Sequence, residues 1–591
     1  MVLNVIPNNY FKLTNGETKV VNKVRALYHK DDRECFLYVQ PRLREYNPDF
    51  ILIDSYKGVC IIEVKDWVLS RIESMNRVEV TFKNGNNGEN PVAKTNKYFN
   101  CAKDIFEKDR FLLDEEGKLR FKVYSKVVFS GMDSKDIDDS GLKDVLFQPP
   151  TRCLGSDRLK KLTIDDLFGA ETSYPGQVII SVIRALLFPE IKIQHKQHQL
   201  LEFDDELDEI KNTIKALDCE QEKFAKKIPY GHYMVSGVPG SGKTVILLAR
   251  AIFFLKEHPD WKIKIITFNR SLAKKMQNRF RSLYNDLHLM GLHYENISIS
   301  TFHKLAMDTA GIVPPHDANS DFWNRELPLK ALEKARPKYD AILIDEYQDF
   351  RDEWLKLCLV LCKKQEYNGT VSENLFMAGD RLQSIYNPHE HTWKSLGVNV
   401  TGRSKLLKHS YRSGKSHIDL ALDFLMSDGS MKKEVERFYE GREGIENEQN
   451  GENYIDFLEG GFEVINDVLN KVLLDMRYDP EDVLVLAPTH ADAERLYFKL
   501  DPFLKSKSII TKDIVPGKII ITTYHSSKGL ECKVCVLLNV NKLNVNKAQD
   551  KKLLYVGMTR ASQRLYIHAR DFESESFARQ LKYGEFDQQG V

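Results

Sequence analysis

A glycine-rich segment at residues 237–244 has the residue types and spacing that bind phosphate. It fits the pattern G-x-x-x-x-G-K-[ST] and stands between a strand-like run and a helix-like run. Glycines let the backbone curl so that successive N–H groups point at phosphate oxygens. Lys243 would place a positive charge at the outer phosphates, and the Thr244 hydroxyl could bind Mg²⁺. The predicted nucleotide-binding residues of this segment are Gly237, Gly240, Ser241, Gly242, Lys243 and Thr244.

Charged and amide side chains farther along the chain suit the hydrolysis of a bound nucleotide. Asp345 and Glu346 end a hydrophobic, strand-like run. Asp345 is placed to reach Mg²⁺ through its water shell, and Glu346 to activate the attacking water. Gln383 follows another such run and could sense the terminal phosphate. Arg412 and Arg560 suit insertion against that phosphate, although either arginine alone could equally form a surface salt bridge.

A second group of charged residues lies near the N-terminus. Asp49 begins one hydrophobic strand-like run and Glu63 leaves the next, with a short turn between the two runs. If the runs pair, Asp49 and Glu63 come together and Lys65 lies on the same face as Glu63. Two carboxylates can hold Mg²⁺ or Mn²⁺ against a phosphodiester, and a lysine can orient or deprotonate the attacking water.

The surrounding elements indicate an α/β protein. Hydrophobic strand-like runs alternate with helical segments from residue 233 onward, and polar residues follow the strands at the edge where such sheets bind ligands. No second phosphate loop follows residue 395, so the last part of the chain would contribute residues across a cleft. We predict domains at residues 1–155, 216–394 and 395–591, with a helical connector at residues 156–215.

Composition limits the partners and the compartment. The chain has 591 residues, with 86 Lys plus Arg against 85 Asp plus Glu, so nucleic-acid binding would depend on local channels. Nine cysteines, an odd number, argue against a disulfide framework, and we expect Cys358, Cys362, Cys532 and Cys535 to be ordinary buried thiols. No secretory signal or membrane-spanning run is evident, so we expect a cytoplasmic protein without a membrane partner.

The N-terminal residues resemble the PD-(D/E)XK nucleases and, more narrowly, the bacterial nuclease-related domain. Glu17 matches the acidic residue on that family's first helix, and residues 90–94 are similar to its N-P-x-x-Q segment, with Lys94 where glutamine is usual. The resemblance implies a restriction-endonuclease-like fold and a Mg²⁺- or Mn²⁺-dependent nuclease. Its site residues would be Glu17, Asp49, Glu63 and Lys65, with Asp49 and Glu63 as metal ligands. The alternative is a nuclease-derived domain that only binds nucleic acid.

The ordered motifs from residue 217 onward resemble those of superfamily 1 helicases of the UvrD/Rep group. The resemblance implies two RecA-like domains, with ATP between them and single-stranded DNA across their tops. It adds Gln221, Tyr411 and Glu531 to the nucleotide-binding residues, although Gln221 could instead be a surface glutamine on a helix. The motifs that carry it are Gln221, 237–244, 267–269, 301–303, 345–349, 379–386, 411–413, 523–531 and 555–561.

The same resemblance predicts the contacts with DNA. Stacking of a base on an aromatic ring is worth about 1 to 3 kcal/mol and tolerates any sequence, so the strand would be gripped without base readout. Trp393 could equally belong to the core. The residues that fall where family members contact the strand are Phe268, Asn269, Thr301, His303, Trp393, His525 and Lys528.

The leading hypothesis is therefore an ATP-driven translocase, moving 3′ to 5′ by family likeness, with an attached metal-dependent nuclease. Its cofactors would be ATP and Mg²⁺, and its partner single-stranded or partly duplex DNA. The chain has room only for small accessory insertions, which leaves duplex unwinding open. Single-chain bacterial nuclease-helicase proteins of phage defence are similar to it, and DNA repair is the alternative role. An ATP-gated DNA-binding switch with an inactive nuclease domain is the rival hypothesis.

Overall fold

The computed structural model divides the chain into two compact units. The first contains Met1–Pro229, Leu248–Trp261 and Asn278–Ile297, and the second contains Tyr230–Leu247, Lys262–Gln277 and Ser298–Val591. The structure describes residues 3–7, 13–28, 35–188, 228–268, 270–282, 287–288, 290–367, 369–384, 393–407, 409–410, 415–427, 429–439, 446–447, 454–513, 515–544, 547–573 and 577–583.

A six-stranded mixed sheet organises the first unit. Its strand order is β1-β2-β3-β4-β8-β9, and β3 pairs with both β2 and β4 in antiparallel fashion while β4 and β8 are parallel. Strands β5, β6 and β7 form a separate small sheet. The strands are β1 Asn4–Pro7, β2 Cys35–Val39, β3 Phe50–Asp54, β4 Gly58–Lys65, β5 Ile72–Met75, β6 Glu79–Phe82, β7 Asn87–Glu89, β8 Val123–Phe129 and β9 Arg152–Leu154.

Helices cover both faces of the first sheet, which explains its hydrophobic strands. Val128 packs into the core beneath the first helix, whereas its neighbours Val127 and Phe129 pack into the core on the opposite face. Asn90 caps the second helix by accepting a 2.9 Å hydrogen bond from the N–H of Val92. The helices are Asn15–Tyr28, Pro91–Phe106, Ser134–Asp139, Lys143–Leu146, Ser156–Lys160, Ile164–Phe168 and Gly176–Leu187, with 3-10 turns at Leu69–Arg71 and Arg110–Leu112.

The sheet that carries the phosphate loop, which we call lobe 1, has the order β12-β11-β13-β16-β10-β17. The pairs β11–β13, β13–β16, β16–β10 and β10–β17 are parallel, as α/β domains require. Strands β14 and β15 form a separate antiparallel hairpin, which occurs between β13 and β16 in the sequence. The strands are β10 Tyr233–Gly237, β11 Ile263–Thr267, β12 Ile297–Thr301, β13 Ala341–Asp345, β14 Lys364–Tyr367, β15 Thr370–Glu373, β16 Leu375–Gly379 and β17 Ser404–Leu407.

The C-terminal sheet, which we call lobe 2, has the order β20-β25-β24-β21-β23-β22, and all its pairs are parallel. Residues along β21 alternate between two cores, as Leu484 and Leu486 pack on one face and Val485 on the other. Two short strands before this sheet, β18 His409–Ser410 and β19 Glu446–Asn447, form a separate parallel pair. The strands of the six-stranded sheet are β20 Tyr454–Glu459, β21 Val483–Ala487, β22 Ser508–Ile510, β23 Ile519–Thr523, β24 Cys532–Leu537 and β25 Ala561–Ala569.

Helices follow most of these strands and bury both faces of the two sheets. The α-helices are Lys243–Glu257, Arg270–Ser282, Phe302–Ala310, Leu327–Lys334, Asp352–Leu361, Lys415–Met426, Gly429–Tyr439, Glu463–Asn470, His490–Lys499, Pro502–Lys507, Ala548–Met558 and Phe577–Tyr583, with π-helical turns at Phe322–Glu326 and Lys471–Asp475. Short 3-10 turns occur at Tyr294–Asn296, Tyr347–Asp349, Arg381–Gln383, Pro480–Asp482, His525–Ser527 and Val540–Lys542.

Several sequence predictions can be compared with the observed fold. The predicted α/β class with parallel sheets is confirmed. Leu159 and Phe168 from the start of the predicted connector pack into the first core, and the connector from residue 189 onward lies outside the described residues. The four cysteines expected to be buried thiols are buried. Among the described residues, we find no helix with the length and apolarity needed to span a bilayer.

Candidate functional site

The phosphate loop leaves β10 at Gly237 and enters a helix at Lys243. Gly240 and Gly242 have φ angles of 76° and 82°, a region that side chains with a Cβ rarely adopt. A Cβ on Gly237 would lie 2.6 Å from the Ser241 Oγ, so the loop has no room for a larger residue there. The glycines of the motif are therefore required by the backbone path itself.

Lys243 and Thr244 face the inside of this loop. The Nζ of Lys243 donates to the carbonyl oxygens of Gly237 at 2.9 Å and Val238 at 3.0 Å. The Thr244 Oγ1 donates to Asp345 Oδ2 at 2.8 Å. The loop lysine and the hydroxyl–carboxylate pair thus converge on one side of the sheet, as a phosphate site requires.

Asp345 lies at the end of β13 and is buried. Burial and the neighbouring Glu346 raise the pKa of the Asp345 carboxyl to about 7, against the opposing effects of Thr244 and Lys243. A divalent cation beside Thr244 and Asp345 would offset this burial of negative charge. The donor set, one hydroxyl and one carboxylate, therefore fits Mg²⁺.

Glu346 is held in an unusual conformation beside Asp345. Its φ of 57° lies in the left-handed region, which non-glycine residues occupy mainly where the surroundings impose it. Gln348 donates a short hydrogen bond to the Glu346 carboxylate, and Lys528 Nζ lies 3.7 Å from it. Burial pushes the pKa of Glu346 upward, but Lys528 and Lys243 outweigh it, so the pKa is lowered overall. Glu346 is consequently ionised at neutral pH, as a general base must be.

Lobe 2 contributes two cations to the same region. Lys528 Nζ lies 2.5 Å from Asp349 Oδ2 and 2.6 Å from the carbonyl oxygen of Gln383. Arg560 donates from Nη2 to Gln383 Oε1 at 3.1 Å, and Gln383 Nε2 donates to Asp380 Oδ2 at 3.0 Å. Lys528 and Arg560 are 4% and 3% exposed. Gln383 is therefore the point at which lobe 1 meets both cations of lobe 2.

This arrangement places Lys528 differently from the sequence prediction, which made it a DNA contact. The Lys528 ammonium is buried against Asp349, with Glu346 3.7 Å away, so two lobe 1 carboxylates compensate its buried charge. In the structure Lys528 joins the lobes, and its contact with DNA stays a prediction.

Replacing Lys528 with alanine is expected to destabilise the second unit by about 3 kcal/mol and to slow nucleotide hydrolysis, because it leaves buried carboxylates uncompensated. Denaturant unfolding and phosphate release measure the two effects. Lys533→Ala is the matched control, since Lys533 makes a 2.6 Å, partly exposed ion pair with Asp482 in lobe 2, worth at most about 1 kcal/mol. Equal losses in both variants would contradict the inter-lobe role.

Three predicted DNA contacts cluster at one end of lobe 1. The rings of Phe268 and Trp354 are stacked with centroids 6.0 Å apart, and the His303 centroid lies 4.9 Å from that of Trp354. Burial, reinforced by Arg270, lowers the pKa of His303 to about 4, so its ring is neutral at pH 7. Thr301 accepts from the N–H of Lys304 and begins the helix that carries His303. The cluster offers uncharged aromatic surface beside the end of β12.

The remaining predicted residues lie in different surroundings. Trp393 is half-buried, with its ring centroid 5.7 Å from that of Tyr347, and packs against the core of lobe 1. His525 is half-buried and burial lowers its pKa, while Glu531 follows it just before β24. Four residues lie outside the described residues, namely Gln221, Asn269, Tyr411 and Arg412.

The second candidate centre lies at the ends of β3 and β4. Phe50 pairs with Ile62, which brings Asp49 beside Glu63 as predicted. Asp49 Oδ2 accepts a 2.6 Å hydrogen bond from the N–H of Val64, and Lys65 Nζ lies 2.6 Å from Glu63 Oε1. Burial and Glu63 together raise the pKa of Asp49 to about 7. The two carboxylates and the lysine share one site.

Glu17 lies in the first turn of its helix, close enough for its charge to contribute to the raised pKa of Asp49. The Thr14 N–H donates to Glu17 Oε2 at 2.7 Å, and the Glu17 N–H donates to Thr14 Oγ1 at 3.2 Å, a reciprocal cap. The Gln40 amide lies 3.4 Å from both Glu17 oxygens. Asp66, next to Lys65, accepts from the Gly16 N–H at 3.0 Å and so ties this helix to the end of β4.

Lys94 also reaches this centre. Its Nζ lies 2.9 Å from Glu63 Oε1, the oxygen that Lys65 contacts, whereas Glu63 Oε2 is buried without a hydrogen-bond partner among the described residues. That oxygen and Asp49 could bind a divalent cation, so the residues present fit a metal. Within the described ranges, no group of three or more His, Cys, Asp or Glu side chains forms a metal site.

Sequence reasoning missed several residues that the structure adds to these centres. Gln348, Asp349 and Asp380 lie in the motifs 345–349 and 379–386. Their positions just after predicted strands could have identified them as site residues. The sequence singled out Lys94 but assigned it no role, and no sequence pattern pointed to Gln40. Gln40 follows β2 directly and reaches Glu17 because the helix Asn15–Tyr28 packs on the sheet there.

Three protein families match separate parts of the chain. Residues 12–130 match the nuclease-related domain, residues 220–388 an AAA domain, and residues 518–568 the UvrD-like helicase C-terminal domain. The chain joins a nuclease-related domain to UvrD-like helicase domains. The first candidate centre therefore belongs to the helicase domains and the second to the nuclease-related domain. The predicted fold, a nuclease-like domain followed by two helicase domains, is confirmed.

Comparison with curated proteins gave no match. Among solved structures, the chain is similar to the PRRSV helicase, with 15% identity and a TM-score of 0.28, covering 57% of this chain and 52% of that one. It is also similar to the C-terminal domain of a possible DNA helicase from Lactobacillus plantarum WCFS1, with 20% identity and a TM-score of 0.20, covering 27% of this chain and 87% of that one. The chain thus spans about half the length of the viral helicase structure.

Proposed function

We propose that this protein hydrolyses ATP to move along single-stranded DNA and that its nuclease-related domain cuts DNA in a metal-dependent reaction. The observation that carries the proposal is the position of Gln383. It lies beside the nucleotide residues of lobe 1 and is contacted by Lys528 and Arg560 of lobe 2. A change at the terminal phosphate would therefore act on both lobes at once.

The ATP half of the proposal assigns a task to each residue of the first centre. Backbone N–H groups of the phosphate loop and Lys243 would bind the β- and γ-phosphates. Thr244 and Asp345 would hold Mg²⁺, which would offset the phosphate charge. Glu346 would orient the attacking water and accept its proton, and Arg560 would neutralise the charge that develops on the γ-phosphate.

Movement would follow from opening and closing of the two lobes. Loss of the γ-phosphate would release Gln383 and weaken its contacts with lobe 2, in a hinge-type cycle. The aromatic cluster around Phe268 and His303 would hold one or more bases during each cycle. We propose 3′ to 5′ movement from the family likeness, and displacement of streptavidin from either end of a biotinylated strand tests the direction.

The nuclease half uses the second centre. Asp49 and Glu63, with Glu17 nearby, would hold Mg²⁺ or Mn²⁺, which would supply charge stabilisation at the phosphodiester. Lys65 would orient the attacking water, and the proton that this water loses would pass to solvent. Lys94 would stabilise negative charge on the phosphate from the neighbouring helix.

The raised pKa of Asp49 predicts a pH-dependent metal requirement. Below pH about 7 the carboxyl is protonated and a proton competes with the metal; above it the carboxylate is free to bind. At limiting Mg²⁺ we expect cleavage to rise about fivefold from pH 6 to 7, and at saturating Mg²⁺ this rise should shrink. A profile that is the same at both Mg²⁺ concentrations would contradict this.

Two measurements on the wild-type protein test the proposal. Single-stranded DNA should raise ATP turnover well above the level without DNA, and DNA should be cut with Mg²⁺ or Mn²⁺ but not with EDTA. Single-stranded RNA and duplex DNA are the comparison substrates. If DNA leaves ATP turnover unchanged, the protein is not a DNA motor. If ATP is hydrolysed but no DNA is cut, the nuclease-related domain only binds nucleic acid.

We also propose a cellular role in defence against phage, supported by the resemblance to single-chain bacterial nuclease-helicase proteins. Phage plaque counts on cells with the wild-type gene and with the Lys243→Ala variant test it. Protection that requires Lys243 supports defence. Equal plaque counts together with sensitivity to DNA damage in cells lacking the gene would favour repair instead.

A further inference from the structure

A cavity of about 200 Å³ opens beside the nuclease centre, and of its lining residues only Lys94 has been given a role above. Its lining includes Tyr46, which follows β2, and Lys94, Lys97 and Tyr98 from the helix Pro91–Phe106. Tyr98 is buried and Tyr46 is half-buried. The cavity therefore has an aromatic wall, and charged and amide side chains complete its lining.

Lys94 connects this cavity directly to the nuclease centre. Its Nζ is 2.9 Å from Glu63 Oε1 and 5.6 Å from the centroid of the Tyr98 ring. The ammonium group therefore stands between the carboxylate that would bind the metal and the aromatic wall. A phosphate held at Lys94 and Lys65 would have its own sugar and base within reach of the cavity.

The charges around the cavity disfavour a second phosphate inside it. Lys97 Nζ is 2.5 Å from Glu89 Oε1, and Lys94 is engaged by Glu63. Glu45 adds a further negative charge to the lining, so Lys97 cannot balance a phosphate inside the cavity, whereas Lys94 lies at the edge that faces the nuclease centre. An uncharged planar group suits this lining better than a phosphate does.

The two tyrosines provide the surface for such a group. Their ring centroids lie 5.5 Å apart with the planes inclined by 53°, so the rings form a bent wall instead of a closed stack. A nucleobase has a planar π-face that stacks on aromatic side chains whatever its sequence. Tyr46 is half-buried, so part of its ring is accessible for this contact, while Tyr98 is fixed in the domain core.

We propose that this cavity binds the base of the nucleotide adjacent to the phosphodiester bond that the nuclease-related domain cuts. The inference rests on the proposed nuclease function. Tyr46 stacks on the base, and Lys94 contacts the phosphate that joins this nucleotide to the cut bond. The cavity thereby fixes the position of the strand relative to Lys65.

Abasic scanning of a single-stranded substrate tests the proposal in the full-length protein. Once a preferred cut position is mapped, an abasic residue at one neighbouring position should slow wild-type cleavage about tenfold, and abasic residues elsewhere should not. Tyr46→Leu should slow cleavage of the intact strand by a similar factor and be insensitive to the abasic residue. Tyr56→Leu, which removes an exposed tyrosine of the same unit, is the matched control and should behave as the wild type.

The proposal is overturned if Tyr46→Leu cuts as fast as the wild type, or if the abasic residue slows both proteins equally. A Tyr46→Phe variant separates stacking from folding, because it keeps the ring and should keep the wild-type rate. A Phe variant as slow as the Leu variant would mean that the hydroxyl, and not stacking, matters.

A binding measurement distinguishes failure of this inference from failure of the nuclease function. If the wild type cuts no DNA, quenching of 2-aminopurine in a bound single strand still reports stacking, and Tyr46→Leu should lose part of the quenching that Tyr56→Leu retains. Equal quenching in the two variants overturns the base site. Strong quenching of the free 2-aminopurine nucleotide by the wild type, lost in Tyr46→Leu, would assign the cavity to a free nucleotide and overturn its assignment to the strand.

Discussion

Lys243→Ala is expected to reduce DNA-stimulated ATP turnover at least about a hundredfold, because no other described side chain of the phosphate loop carries a positive charge to the outer phosphates. The lysine also contacts two loop carbonyls, so its loss removes a positive charge that lowers the pKa of Glu346. Phosphate release at saturating single-stranded DNA measures the effect.

Lys330→Ala provides the control for this variant. Lys330 is an exposed lysine of lobe 1, paired at 3.8 Å with Glu326, and its loss should leave turnover unchanged. DNA binding without ATP should survive in both variants, since the aromatic cluster around Phe268 does not depend on Lys243. If Lys243→Ala turned over ATP within about threefold of the wild-type rate, the phosphate loop would have no catalytic role.

Lys65→Ala is expected to abolish DNA cleavage, by a factor of about a hundred or more, while leaving ATP turnover intact. The variant removes the group that we assign to the attacking water. Lys94 would still compensate the buried Glu63 carboxylate at 2.9 Å, so the domain should remain folded. Cleavage of labelled single-stranded DNA with Mg²⁺ and with Mn²⁺, together with thermal unfolding, measures both effects.

An exposed lysine of the same domain, Lys118, provides the matched substitution, and Lys118→Ala should cut as the wild type does. If Lys65→Ala and the double variant at Lys65 and Lys94 are both folded and cut normally, the second centre is not the site of cleavage. If only the double variant at Lys65 and Lys94 is inactive, the two ammonium groups replace one another at the phosphate.

Local sequence was enough to predict the parts of both centres that lie within one motif or across one turn. The phosphate loop is specified by glycines whose φ angles no other residue readily adopts. Asp49 and Glu63 could be placed together because only a short turn joins β3 to β4, which sets their register. Because side chains alternate between the two faces of a strand, Lys65 was then expected on the same face as Glu63.

Contacts between distant segments could not be predicted in the same way. Lys528 was assigned to DNA because its motif borders the strand in related helicases, yet its long side chain reaches the buried Asp349 of the other lobe. Lys94 meets Glu63, and Gln40 meets Glu17, through the packing of two different helices on the first sheet. The spacing of residues along the sequence does not show where the end of a long side chain lies after two elements have packed together.

The most direct test of the central claim is the effect of ATP on DNA cleavage by the full-length protein. The account predicts that ATP changes the rate or the positions of cleavage in the wild type, because hydrolysis moves the strand. It also predicts that a non-hydrolysable ATP analogue does not reproduce the change and that Lys243→Ala shows none. Cleavage that is identical with and without ATP in the wild type, while ATP is being hydrolysed, would contradict a motor that supplies DNA to the nuclease.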